Sequence, residues 1–96
     1  MWVDWDPAKD EANYEKHGLA FGEVAELFTG GADYLELVDE EHSFDEDRFI
    51  AIGLIRRGVV LVVWTERDGD TIRIISARFA TKRELELFHR YMENTP

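Results

Sequence analysis

Val59-Val60-Leu61-Val62-Val63-Trp64, then Asp68-Gly69, then Ile72-Arg73-Ile74-Ile75-Ser76-Ala77-Arg78-Phe79 follow one another in close succession. The first run is apolar throughout and mostly β-branched, which marks a strand buried on both faces in the middle of a sheet. Asp-Gly is the pair that a tight hairpin turn favours, since both central positions take positive φ. The third run is the returning strand. A hairpin this apolar puts a sheet at the centre of the fold, and the remaining segments must cover or extend it.

Outward from the hairpin, Arg48–Ile55 is a strand with apolar residues on both faces, joined to Val59 through an Arg56-Arg57-Gly58 turn. Tyr34–Val38 alternates as a further strand, and Asp39–Asp47 is an acidic loop holding His42 and Ser43. Trp2–Trp5 reads as a short first strand. Asp6-Pro7 then opens a helix, because Asp caps free N–H groups and Pro lacks the one that would go unpaired. That helix runs to His17 and stops at Gly18, a residue suited to the left-handed position past a helix end. Phe21, Val24, Ala25, Leu27 and Phe28 form the apolar stripe of a second helix, ended by Gly30-Gly31. Thr81-Lys82-Arg83-Glu84 is a capping box that starts the last helix, with Leu85, Phe88 and Met92 at helical spacing; Asn94-Thr95-Pro96 is expected to fray. The order is β-α-α-β-β-β-β-α: an α+β fold with a mainly antiparallel sheet packed by helices, expected to form a single domain over residues 1–96.

The chain has 96 residues, 21 acids, 11 Lys and Arg, and a net charge of −10. With no Cys, disulfides, zinc–thiolate sites and thiol catalysis are excluded. No apolar run approaches the roughly 20 residues of a membrane span, and Met1-Trp2-Val3-Asp4 offers no secretory leader. A cytoplasmic protein with no membrane partner is expected. An acidic chain is repelled by phosphates, but the charge is unevenly spread. Residues 1–47 carry 15 acids and two bases, a net of −13; residues 48–96 carry six acids and nine bases, a net of +3. A localised basic cleft in the second half is expected.

Several polar groups stand out. Asn13, Lys16 and His17 cluster on adjoining parts of the first helix; the ordinary role of Lys16 and His17 would be to complement the negative helix end. Strict alternation from Ile72 puts Ser76 and Arg78 on one strand face with Ile72 and Ile74, and Arg73 on the other with Ile75 and Ala77. Arg78 on an apolar face needs an acidic partner or an open cleft. Arg73 and Arg78 converge only if a bulge intervenes. Arg48 starts its strand and Thr65-Glu66-Arg67 ends the central one, where charges commonly just face water. The acidic loop lacks the spacing of a calcium loop, and no His-Glu-x-x-His motif exists, so no metal site is expected.

Taken in order, these pieces resemble the BrnT-type toxins. The resemblance is carried by Trp5-Asp6-Pro7 with Asn13 and Lys16-His17-Gly18; by His42-Ser43, Asp47-Arg48-Phe49 and Ile52-Gly53; and by Trp64-Thr65-Glu66-Arg67 with Ile72–Arg78, Ala80-Thr81 and Glu84. It implies a RelE-like fold and a metal-independent ribonuclease without cofactors that inhibits translation and growth. It also implies a BrnA-type ribbon-helix-helix antitoxin through which alone the chain would meet DNA. Metal-free RNA cleavage must activate the 2′-hydroxyl, stabilise charge on the phosphate and protonate the leaving oxygen. Arg78 and Arg48 suit the phosphate, with Ser76 as a hydrogen-bond donor. Lys16 and His17 suit proton transfer, with the general base unassigned between them. Arg73 and Lys82 would hold flanking RNA phosphates, and Trp5 would shape the pocket or stack on a base. Two other readings stand beside this one. One is a partner-binding module that keeps antitoxin binding and has lost the cleavage chemistry; the other is an acidic nucleic-acid mimic that binds a basic protein.

Overall fold

The computed structural model describes residues 1–42 and 46–94. Ser43, the centre of the acidic loop and the last two residues of the expected frayed end lie outside the described residues. The elements are β1 (Trp2–Trp5), α1 (Pro7–His17), α2 (Phe21–Val24), α3 (Glu26–Thr29), β2 (Leu35–Val38), a 3-10 turn (Glu40–His42), β3 (Arg48–Ile55), β4 (Gly58–Arg67), β5 (Thr71–Phe79) and α4 (Lys82–Asn94). The sheet order is β1-β5-β4-β3-β2, antiparallel except for the β1–β5 pair, which is parallel. The fold is thus α+β with a mainly antiparallel sheet, as the sequence indicates. Among the described residues no helix is long and apolar enough to cross a membrane.

Local chemistry accounts for most boundaries. The Asp6 carboxylate accepts from the Ala8 N–H at 2.9 Å, and Gly18 takes φ 71° while its N–H closes on the Tyr14 carbonyl. Asp68 and Gly69 both have positive φ, 57° and 79°, which suits the twist of the β4–β5 hairpin. Thr81 and Glu84 form the reciprocal cap at the start of α4. The second helix departs from expectation: it is two four-residue helices meeting at Ala25. The Ala20 N–H is taken by the Glu23 carboxylate and the Phe21 N–H by Asp10 of α1, so α2 is tied to α1 at its start. The break at Ala25 lets Phe21, Val24 and Leu27 all reach the buried layer.

The two sheet faces hold different cores. Val60, Val62 and Trp64 of β4 face α1, α2 and α3 with Leu19, Phe21, Val24, Ala51, Ile72, Ile74 and Ala77. On the other face Leu61 and Ile52 meet Phe88 of α4 in a smaller cluster. Each fully buried side chain of this size contributes about 1.5–3 kcal/mol. Gly53 lets the first layer close: a Cβ there would stand 2.7 Å from Leu27 Cδ2 and 2.9 Å from Tyr34 Cβ. Gly53→Ala is expected to destabilise the chain by about 1–3 kcal/mol through overpacking, read as a lower urea midpoint at unchanged slope.

Strict alternation along β5 fails. Val63 pairs with Ser76 but Trp64 pairs with Ile74, so Ile75 is an extra residue in a β-bulge. Past it the faces swap. Ile72, Ile74 and Ala77 are buried in the first core, while Arg73, Ser76 and Arg78 share the other face. The apolar pair Ile74-Ile75 satisfies either phase, and the bulge puts Ala77 rather than Ser76 into the core.

Candidate active site

The bulge arranges three rows across the α4 face of the sheet. Arg78 lies beside Leu61 and Ile52; Ser76 beside Val63 and Ile50; Arg73 beside Thr65 and Arg48. The first and third rows are four β4 residues apart, about 13 Å at the usual strand rise. Alpha4 covers the Ile52–Leu61 end through Phe88. The uncovered part is a cavity of about 510 Å³ floored by Ile50, Leu61, Val63, Ser76 and Arg78. Lys16, His17, Asp39, Glu41, His42 and Glu84 form its walls.

Asn13 carries α1 to this cavity. Its side-chain N–H₂ donates to the Leu19 carbonyl at 3.0 Å and the Ala77 carbonyl at 2.9 Å, and its oxygen accepts from the Ala77 N–H at 3.1 Å. Beta1 pairs only with Thr71–Ile74, so on that side β5 has no neighbouring strand at Ala77, which pairs with Val62 of β4 on the other. The Asn13 amide takes that strand's place. Lys16 and His17, at the end of the same helix, are thereby held on the cavity wall.

Arg78 is the strongest electrostatic feature. Its Nη1 donates to Glu84 Oε1 at 2.7 Å and its Nη2 to Oε2 at 2.9 Å, a bidentate pair. Nη1 also reaches the Phe79 carbonyl at 3.3 Å. Five N–H donors less these three leave Nε–H and one Nη2–H, the side pair of the guanidinium fork. These hydrogen bonds hold the Glu84 carboxyl down at about 2 and push the Arg78 guanidinium upward; the Thr81 N–H assists on Glu84, and burial opposes. Glu84 reads in the sequence as a helix cap, and it is one. It also orients Arg78, a second role set by three-dimensional packing that no local motif announces.

That pair has a pH signature. Because the folded-state Glu84 value lies below its ordinary 4.5, its stabilisation is complete above pH 4.5 and fades as pH falls towards 2. Glu84→Gln should cost about 1–2 kcal/mol at neutral pH, reduced by solvent screening on the open Arg78 side. In urea titrations the gap between wild type and variant should stay constant from neutrality down to pH 4.5 and narrow below it.

The other candidate residues divide. Arg73 pairs with Asp4 at 3.5 Å, on the same face as Arg78, and Arg48 lies 3.7 Å from Glu46 in the same row. Neither lines the cavity; both extend the polar strip beyond it. Lys82 is exposed in the first turn of α4. Trp5 pairs in register with Ile74 and packs edge-on to Phe21 at 6.3 Å, so it belongs to the helix-covered layer, away from Ser76 and Arg78. Where a localised basic cleft is expected, the cavity is mixed in charge: Asp39, Glu41 and Glu84 share it with Lys16 and Arg78. Three acids of the first half, Asp4, Glu23 and Glu46, also reach across to Arg73, Arg57, Arg48 and Arg67, so part of the second half's positive charge is paired in space. His42 stands in an acidic run and in the family resemblance without a role assigned to it; the structure places it on the cavity wall. Among the described residues no three His, Asp or Glu side chains are grouped to hold a metal ion.

A family model described as the ribonuclease toxin BrnT of type II toxin–antitoxin systems matches residues 5–84. The chain belongs to the BrnT family. That stretch runs from Trp5 to Glu84 and includes every cavity residue. The crystal structure of the Brucella abortus ribonuclease toxin BrnT is similar, with a TM-score of 0.63 and 25% identity over 85% of this chain and 99% of that one. No curated protein sequence matches. As a BrnT-family chain, this protein belongs to a group of type II ribonuclease toxins, whose systems pair a toxin with an antitoxin.

Proposed function

We propose that residues 1–96 act as one cytoplasmic toxin domain that cleaves RNA without a metal ion, arresting translation and growth. Its neutralising partner is a BrnA-type ribbon-helix-helix antitoxin, and DNA is contacted only through that partner. The observation that carries this reading is the Ile75 bulge, which sets Arg73, Ser76 and Arg78 on one face, the last two on the floor of a cavity walled by Lys16 and His17. Arg78, oriented by Glu84, offers its side fork to the non-bridging oxygens of a phosphate, and the Ser76 hydroxyl donates to the same oxygens. Lys16 and His17 supply proton transfer from the wall. Arg73, Arg48 and Lys82 hold neighbouring phosphates along the strip. Trp5 supports this arrangement from behind the sheet.

The test is digestion of RNA with and without EDTA, beside Arg78→Ala. EDTA-resistant cleavage that the variant lacks is expected. Cleavage abolished by EDTA would overturn the metal-independent mechanism. Antitoxin binding without any cleavage would select the partner-binding module instead.

A further inference from the structure

One constellation on the cavity wall has no part in the mechanism above. His42 ends the 3-10 turn that Asp39 immediately precedes, and the His42 N–H closes on the Asp39 carbonyl. At this three-residue spacing side chains on a 3-10 turn eclipse. His42 Nδ1 accordingly lies 3.1 Å from both carboxylate oxygens of Asp39. The two are unequally exposed: the Asp39 side chain retains 13% of its surface and His42 61%. The carboxylate is set back against the fold and the ring stands forward. Asp39 is anchored from the backbone too, its N–H donating to the Arg48 carbonyl at 2.8 Å. Both residues line the cavity that holds Ser76, Arg78 and Lys16.

The chemistry of the contact settles the tautomer. An ionised carboxylate only accepts, so the Nδ1 against it carries the proton, and in the neutral ring Nε2 keeps its lone pair. His17, in contrast, forms no hydrogen bond or ion pair with a carboxylate among the described residues. A histidine oriented by a carboxylate, with a free accepting nitrogen in a cavity that also holds an arginine, is the arrangement that proton abstraction needs.

We propose that His42 is the general base of this site and that Asp39 is its positioning residue. The inference rests on the ribonuclease reading above and assigns the proton acceptor which that reading leaves open between Lys16 and His17. The RNA 2′-hydroxyl gives its proton to His42 Nε2 while O2′ attacks phosphorus. The O2′–P bond forms and the P–O5′ bond breaks, its electron pair passing to O5′. O5′ takes a proton from the Lys16 ammonium. The products are a 2′,3′-cyclic phosphate and a 5′-hydroxyl, and the imidazolium formed at His42 is paired with Asp39.

The experiment uses the full chain, a fluorescent mixed-sequence RNA oligonucleotide and its fully 2′-O-methylated counterpart as a binding probe. His42→Ala should lower kcat by about 10²–10⁴-fold with KM and probe binding little changed. Added imidazole should restore part of the rate, which a structural role would not allow. Asp39→Asn should also lower kcat at constant KM, since an amide can donate to Nδ1 and reverse the tautomer; Asp39→Glu should recover part of it. Wild-type cleavage matched by His42→Ala would overturn the dyad alone. So would a loss that appears in KM and resists imidazole. A wild-type chain that cleaves no RNA would overturn both the dyad and the ribonuclease reading.

Discussion

Arg78→Ala is expected to lower RNA cleavage by about 10²–10³-fold, the usual cost of deleting one charge-stabilising donor from a transition state. The loss should fall on kcat. Glu84 already fixes the guanidinium in the free protein, so little reorganisation is left for the moment of reaction. Arg78→Lys should recover only a small part, because an ammonium presents one point charge and cannot serve Glu84 and a phosphate through separate edges. Removing the guanidinium also leaves Glu84, among the described residues, with only Thr81 as a partner, and a stability loss of about 1–2 kcal/mol should accompany the loss of activity. Circular dichroism and urea midpoints separate the two effects: the fold persists while cleavage is nearly gone. An Arg78→Ala chain that cleaves as well as wild type would remove Arg78 from the site.

Asn13→Ala is expected to produce the largest stability loss of any polar substitution in the chain. Asn13 is 8% exposed, and its amide meets three backbone groups that nothing else is placed to satisfy: the Leu19 carbonyl, the Ala77 carbonyl and the Ala77 N–H. Each buried group left unpaired costs about 1–3 kcal/mol; because the costs are not additive, a total of about 3–5 kcal/mol is expected. Asn13→Asp should be no better, as a carboxylate keeps the acceptor for Ala77 and turns oxygen towards two carbonyls. Lys9→Ala, exposed on the same helix, should change stability by less than about 0.5 kcal/mol. Beyond stability, the helix end that carries Lys16 and His17 loses its anchor to β5. Cleavage should therefore fall even at temperatures where Asn13→Ala remains folded.

What the sequence discloses about this chain follows the range of the forces involved. Asp6-Pro7, Gly18, Asp68-Gly69 and Thr81–Glu84 act on their own neighbours, and each appears in the structure at its place. The parallel docking of β1 on β5 depends on residues far apart in the chain, and no local pattern marks it. The Ile75 bulge is hidden because Ile74 and Ile75 are equally apolar, so the strand pattern fits both phases. The stripe Phe21, Val24 and Leu27 is likewise compatible with one unbroken helix, and the break at Ala25 carries no Gly or Pro. At the site, residue types were legible and their partners were not. Arg78 needs an acid or a cleft, and it has both; that the acid is the capping residue Glu84 depends on where α4 returns to the sheet. Asn13 shows the opposite case, a residue grouped with Lys16 and His17 by helical spacing whose side chain is spent on holding the backbone.

The most direct test of the central claim is to digest RNA with the wild-type chain in excess EDTA and to map the ends of the fragments. The site as described predicts EDTA-resistant cleavage with 2′,3′-cyclic phosphate and 5′-hydroxyl ends, absent from a parallel digest with Arg78→Ala. Cleavage that stops in EDTA, or fragments bearing 5′-phosphate and 3′-hydroxyl ends, would contradict it.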